Sequence, residues 1–355
     1  NDCFVRKEET FDIGVKPKAD FTWKNECFRP DTFIYFFDAT VSTSKIMSRS
    51  WNFFDLDSLR TVKNPVYPQK SVGYQPVLFK VTTGYAGCND SIFREVYLRP
   101  VITLAADGYF EDFEDGSSHW VPGYESVNNW EFGTPDRPEI DKAWSGLSAW
   151  FTGFRTDTAV FEASSVVSPC FDFTNIERPM ISLCAWKSLE KDRQGAALQY
   201  RIGDAPGWEY VGTLGDGINW YNSALIKGRP GGEQLGWTTD PASPDNGFLN
   251  SRHKLDELSG KQDVKFRIAF GSDGTTTGYG GIAFDDVRIG PRSRKALLEH
   301  FTNITSKTAG TATAQVDTMY RYNSEDVIYI QYHTNFPGSD PYYNDNQGDA
   351  GGRML

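Results

Sequence analysis

This sequence predicts a mainly β fold, and three observations carry the prediction. Aromatic residues make up 15% of the chain, and 33 glycines and 18 prolines separate short apolar runs. No long stretch shows the 3.6-residue apolar period of a helix before residue 295. Two acidic stretches, Tyr109 to Trp120 (YFEDFEDGSSHW) and Gly280 to Gly290 (GGIAFDDVRIG), flank a Trp- and Gly-rich region. They are placed to pair and to close one large β-domain. A chain of 355 residues exceeds what one hydrophobic core supports, so two or three domains are expected.

In chain order, residues 1–16 read as the last strand of a preceding module, with Cys3 bonded to a partner upstream. Residues 17–100 carry short alternating runs, FTWK, FIYFFDAT, SWNFF, QPVLFKVTT and SIFREVYL, spaced by turn residues as in a small antiparallel sandwich. Residues 101–291 hold the larger β-domain. From residue 292 to 355 the pattern changes to strand, loop, helix and second buried strand, the beginning of an α/β fold that needs more sequence after Leu355 to close.

Charge and cysteine usage narrow the functional classes. A net charge of −11 and a pI near 5.0 argue against a nucleic-acid footprint and against an anionic membrane surface, while suiting metal ions. No run of about 20 apolar residues is present to span a bilayer, and the first residues lack the apolar stretch of a signal peptide. Five cysteines without a CxxC or Cys/His cluster read as disulfide partners, which favours an oxidising compartment. The histidines, His119, His253, His300 and His333, form no HExxH, and no GxSxG elbow occurs, so no catalytic residue is assigned.

Three resemblances follow from ordered motifs. Trp51 to Asp57 (WNFFDLD), Asn64 to Tyr67 (NPVY) and Gly73 to Val77 (GYQPV) resemble the series of the polycystic kidney disease (PKD) domain, with Phe54 and Leu56 where that family usually has Gly. This implies an Ig-like sandwich, and it implies a disulfide between Cys27 and Cys88. The anchors Trp130-Glu131-Phe132-Gly133, Trp150-Phe151, Cys170-Phe171-Asp172-Phe173, Asn219-Trp220-Tyr221 and Val264 to Asp273 resemble bacterial relatives of MAM domains, concanavalin-like jelly rolls that serve as binding or adhesion modules. Leu297 to Thr302 and His333 to Pro341 resemble thioredoxin-like lipoproteins. Their two cysteine positions are Ser306 and Ala309 here, so no thiol exchange is available.

Two candidate sites emerge. Where the first and last strands of the large domain meet, Glu114 and Asp285, with Asp286, Asp112 and Asp115 as substitutes, offer the oxygens calcium requires. Strand alternation places Ala283, Asp285, Val287 and Ile289 on one face, where an inward carboxylate needs a partner. The alternative is a hydrogen-bonded or solvated acidic turn. Trp208, Tyr210, Trp220, Tyr221 and Trp237 lie in Gly-rich surroundings and form either a ligand platform for sugars or peptides or part of the sandwich core. Cys170 and Cys184 bracket a turn and either bridge or leave Cys184 as a buried apolar residue.

The combined expectation is a non-enzymatic surface or secreted binding and adhesion scaffold of a Bacteroidota-type Gram-negative bacterium, exported by the type IX route, with a protein or glycan ligand. Two alternatives stay open: accessory modules of a secreted hydrolase such as a protease, and a subunit of an outer-membrane export or motility complex with an outer-membrane protein partner.

Overall fold

The computed structural model describes residues 7, 9, 13–55, 59–116, 118–152, 161–241, 247–275, 281–292, 296–306, 309–322, 327–336 and 338–343. Cys3 and most of the strand expected in residues 1–16 lie outside them. The chain divides into one compact unit ending at Pro291 and a second beginning at Arg292.

The first unit contains two sandwiches. Seven strands build the smaller one: β1 (Phe21–Lys24), β2 (Phe33–Asp38), β3 (Ile46–Asn52), β4 (Leu59–Arg60), β5 (Val66–Pro68), β6 (Gly73–Thr83) and β7 (Asn89–Leu98). They form sheets ordered β1-β2-β5 and β4-β3-β6-β7. Val77, Phe79 and Val81 recur every second residue of β6 and are fully buried, as a half-buried strand requires. Trp51 from β3 stacks on Phe79 at 3.9 Å, and Phe21 meets both rings edge-on.

The larger sandwich continues with β8 (Val101–Thr103), β9 (Tyr109–Glu111), β10 (Val121–Pro122), β11 (Glu131–Gly133), β12 (Ala149–Phe151), β13 (Phe161–Asp172), β14 (Pro179–Ser188), β15 (Gln194–Ile202), β16 (Glu209–Tyr210), β17 (Leu249–Lys254), β18 (Val264–Asp273) and β19 (Gly281–Pro291). One sheet runs β10-β13-β18-β15-β16 with β8 on β13, and the other β11-β12-β19-β14-β17 with β9 on β19. The two acidic strands do pair: Tyr109, Phe110 and Glu111 lie opposite Ile289, Arg288 and Val287. Leu198, Phe266, Ile268, Phe270, Ile181, Leu183 and Phe284 fill the space between the sheets. β13, β15 and β18 are buried on their outer face too, because a loop passes across it; a Cβ on Gly271 would stand 2.2 Å from the Gly228 carbonyl.

The expected alternation along β19 fails at one residue. Asp286 has φ 48°, and the pairing with β14 slips between Ser182 and Cys184, the mark of a β-bulge. Val287 and Ile289 therefore share the main core with Ile282 and Phe284, whereas Ala283 joins a separate outer cluster with Ile140 and Phe151. Asp285 leaves the face that sequence alternation assigned to it.

The expected Cys27–Cys88 disulfide is corrected, and of the two readings for Cys184 the buried, unbonded one holds. Cys27 bonds Cys170, with Cα atoms 5.8 Å apart, while Cys88 and Cys184 are free thiols. Cys27 bridges to Arg99 just beyond the end of β7, and Cys88 precedes its start. A ten-residue strand spans about 33 Å, several times the reach of a disulfide. Cys170 in turn lies opposite Val101, directly after that segment. Cys184 belongs to the other sheet, where burial raises its thiol pKa and the Asn250 amide approaches it at 3.6 Å.

In the second unit, β20 (Ala296–Thr302) and β21 (Val327–His333) pair in parallel, with helix α1 (Ala309–Tyr322) between them in sequence, a βαβ arrangement. Within it, His333 Nδ1 and Asp340 Oδ2 lie 2.9 Å apart.

Candidate functional site

The two sandwiches of the first unit meet through charged and aromatic side chains. Glu26, in the turn after β1, is buried, and its Oε1 accepts hydrogen bonds from Lys265 Nζ at 2.7 Å and Arg201 Nη2 at 2.8 Å. Arg99 lies 4.0 Å from its other oxygen and donates through Nη1 to the carbonyls of Val167 and Ser168. Burial works to raise the Glu26 carboxyl pKa, but the three cations overcome it and hold the group at about 2. Burial lowers the Lys265 pKa against the pull of Glu26. Asn25 N–H to Asp204 (2.9 Å), Arg29 to Asp263 (2.7 Å) and the Cys27–Cys170 bond complete the junction.

Beside this cluster opens a cleft of ≈ 230 Å³, lined by Trp23, Glu26 and Arg99 from the smaller sandwich side and by Tyr124, Glu125, Ser165, Arg201, Trp208 and Arg267 from the larger. Trp23 and Tyr124 meet edge to face at 4.9 Å, and the Tyr124 hydroxyl accepts the Tyr97 N–H. The guanidinium groups of Arg201 and Arg267 lie 4.8 and 4.6 Å from the Trp208 ring centre. Glu125 accepts the Ser165 hydroxyl at 2.7 Å and lies 4.0 Å from Arg267. Burial lowers the Arg267 pKa to about 10 against the attraction of Glu125. A second hollow of ≈ 350 Å³, lined by Phe161, Ala163, Gly228 and Arg229, adjoins the first at Glu125 and Arg267. Together they form one groove over the outer face of the β10-β13-β18-β15-β16 sheet. Among the described residues lining it there is no histidine or cysteine.

Of the five expected platform residues, only Trp208 reaches this groove. Trp220, Tyr221 and Trp237 are core residues, packed on one another with ring centres about 5 Å apart. Their polar tips bond inside: Trp220 to the Val211 carbonyl, Tyr221 to Leu198, Trp237 to Asn219. Tyr210 is half-buried and donates to the Pro230 carbonyl while accepting the Glu233 N–H. Sequence reading missed Trp23 and Tyr124, because the groove joins residues more than two hundred positions apart; the only local hint is an aromatic residue at a strand end or turn.

The acidic seam has a different geometry. Asp285, fully buried, accepts the N–H groups of Trp144 (2.9 Å) and Ser145 (3.0 Å) on one oxygen and that of Asp286 (2.7 Å) on the other. Glu114 Oε1 accepts Leu147 N–H and Ser148 N–H at 2.9 and 2.7 Å, and Asp286 accepts the Ser145 hydroxyl. The two carboxylates thus clasp one loop, residues 144–148, and Gly146 is needed there: a Cβ would stand 2.2 Å from the Glu114 carboxyl carbon. Burial raises the Asp285 pKa to about 6, against the opposing pull of those N–H groups. Asp112 accepts the Glu114 N–H and Asp115 sits exposed in the turn. Asp285 thus accepts three N–H bonds, and among the described residues no three His, Cys, Asp or Glu side chains are grouped so that they could hold a metal.

No protein-family model matches the chain, and no curated protein matches it. Among solved structures it is similar to a carbohydrate-binding module of the β-sandwich superfamily, at 15% identity and TM-score 0.30, covering 78% of this chain and 99% of that one. SGBP-B from a complex xyloglucan utilization locus in Bacteroides uniformis gives 8% identity and TM-score 0.29 over 79% and 74%. The K2 cleaved adhesin domain of Lys-gingipain gives 13% and 0.32 over 53% and 100%. Scores at this level carry no residue and no ligand across to this chain. No helix among the described residues is long and apolar enough to cross a membrane.

Proposed function

We propose that this chain is a non-catalytic saccharide-binding module of a secreted or cell-surface protein, and that the groove at the sandwich junction is its binding site. The observation that carries the reading is the convergence, in one open groove, of three aromatic side chains, Trp23, Tyr124 and Trp208, with arginine and glutamate groups already paired to one another. Aromatic faces supply flat apolar surface for a pyranose ring, and arginine donors and carboxylate acceptors beside them suit its hydroxyls. Because Glu125, Arg201 and Arg267 are held by protein partners before any ligand arrives, little side-chain freedom is lost on binding. Glu26 and Glu125 offset two of the four arginines that line the groove, Arg99, Arg201, Arg229 and Arg267. A disulfide between the sandwiches suits an oxidising compartment.

Calorimetric titration of the full chain with oligosaccharides of xylan, mannan and xyloglucan tests the reading. Saturable binding is expected for at least one, weakened roughly tenfold by Trp208→Ala and by Tyr124→Ala. A folded protein that binds none of a broad panel of neutral glycans would overturn it.

A further inference from the structure

On the opposite face of the larger sandwich, strand register sets four side chains in a row. Ser182 on β14 lies between Arg252 on β17 and Arg288 on β19, and Arg288 lies opposite Phe110 on β9. All four line a hollow of ≈ 330 Å³, together with Met180 and Asp107 among others. With neighbouring strands about 4.8 Å apart, the two arginine Cα atoms stand about 10 Å from each other, and only the small hydroxyl side chain lies between them.

Neither guanidinium forms an ion pair with a carboxylate among the described residues. Arg252 donates through Nε to Asn250 Oδ1 at 2.5 Å, which fixes the side chain without neutralising it. Arg288 lies over the Phe110 ring, 3.5 Å from its centre, leaving its planar edge of donors unused. The Ser182 side chain is buried between them at the floor. Asp107 contributes one negative charge to the lining against two positive ones. In a chain of net charge −11, such a locally cationic hollow is selective for anions.

We propose that this hollow is a second binding site, one that takes an oxyanion, the sulfate or carboxylate group of an acidic saccharide or the free anion. Arg252 and Arg288 grip it from two sides with charge-assisted hydrogen bonds, and the Ser182 hydroxyl meets it from below. The site is independent of the groove at the sandwich junction, since the two lie on different sheets.

The test titrates the full chain, at constant ionic strength, with sodium sulfate, a sulfated oligosaccharide, a uronate oligosaccharide and the neutral oligosaccharide of equal length. At least one anionic probe is expected to bind saturably, with roughly tenfold loss in Arg288→Gln and in Arg252→Gln and unchanged binding in Trp208→Ala. Free sulfate binding as tightly as the saccharides identifies a site for the anion alone; preference for one saccharide identifies its acid group as the source, and either result supports the proposal. Circular dichroism confirms that the variants are folded, and Arg288→Lys, which keeps the charge and loses the fork, should fall between wild type and Arg288→Gln. Absence of binding by every anionic probe, equal binding of the neutral saccharide in this hollow, or full retention in an Arg252→Gln/Arg288→Gln double variant overturns it.

Discussion

Two buried carboxylates in the same unit have opposite chemistry. Glu26, at the junction of the sandwiches, faces Lys265, Arg201 and Arg99 and is held at about 2; Asp285, at the strand seam, has no cation beside it, only backbone N–H groups and the Asp286 carboxylate, and burial pushes it up to about 6. Full charges can outweigh the desolvation of a carboxylate, whereas neutral dipoles only reduce its cost. The first arrangement fastens two bodies around a groove. The second shapes one loop.

The largest expected effect comes from stripping Glu26 of its cation. Lys265→Ala leaves a buried charge short of a partner and should lower stability by about 3 kcal/mol or more in chemical denaturation. Replacing both partners by Met should recover most of the loss, and a double variant as unstable as the single one would break the comparison. The Cys27→Ser/Cys170→Ser variant should come next, at about 2–4 kcal/mol, because this bond closes a long stretch of chain; an unchanged denaturation midpoint would show that the ions alone fasten the junction. Asp285→Ala orphans three N–H groups and should cost about 2 kcal/mol.

The pH dependence of the two sites should run in opposite senses. Glu26 is depressed, so its contribution is present above the unfolded value near 4.3 and fades as pH falls towards 2; the penalty of Glu26→Gln should shrink over that window. Asp285 is raised, so its contribution is fully present below about 3.9 and is lost as pH rises through about 6; the penalty of Asp285→Asn should shrink between pH 4 and pH 6. Parallel curves for the two variants would contradict the assignment. The smallest effect concerns calcium: chelation should leave the melting temperature unchanged, and a rise on adding calcium that Asp285→Ala abolishes would place a metal at the seam instead.

Local sequence carried the strand content, because alternation and turn residues act over a few positions, and the two acidic stretches flanking one Trp- and Gly-rich region pointed to the pairing of the YFE and DDVRI strands. It did not carry Asp285's orientation. A single bulge residue reverses every later side chain, and its only local trace is an Asp-Asp pair, a residue type that tolerates positive φ. Trp220, Tyr221 and Trp237 could be read as surface or core from composition; mutual packing decided for the core. The disulfide and the groove were out of reach for one reason: each joins segments that only the docking of two sandwiches brings together, Cys27 to Cys170 and Trp23 to Arg267.

The functional reading turns on which face of the larger sandwich holds neutral sugar. Trp208 stands in the groove, while Trp144, half exposed, is carried by the clasped loop on the other sheet's side. The decisive measurement is the affinity of the tightest neutral oligosaccharide for wild type, Trp208→Ala and Trp144→Ala, side by side. The account predicts a roughly tenfold loss for Trp208→Ala and none for Trp144→Ala; loss confined to Trp144→Ala, or equal loss in both, would contradict it.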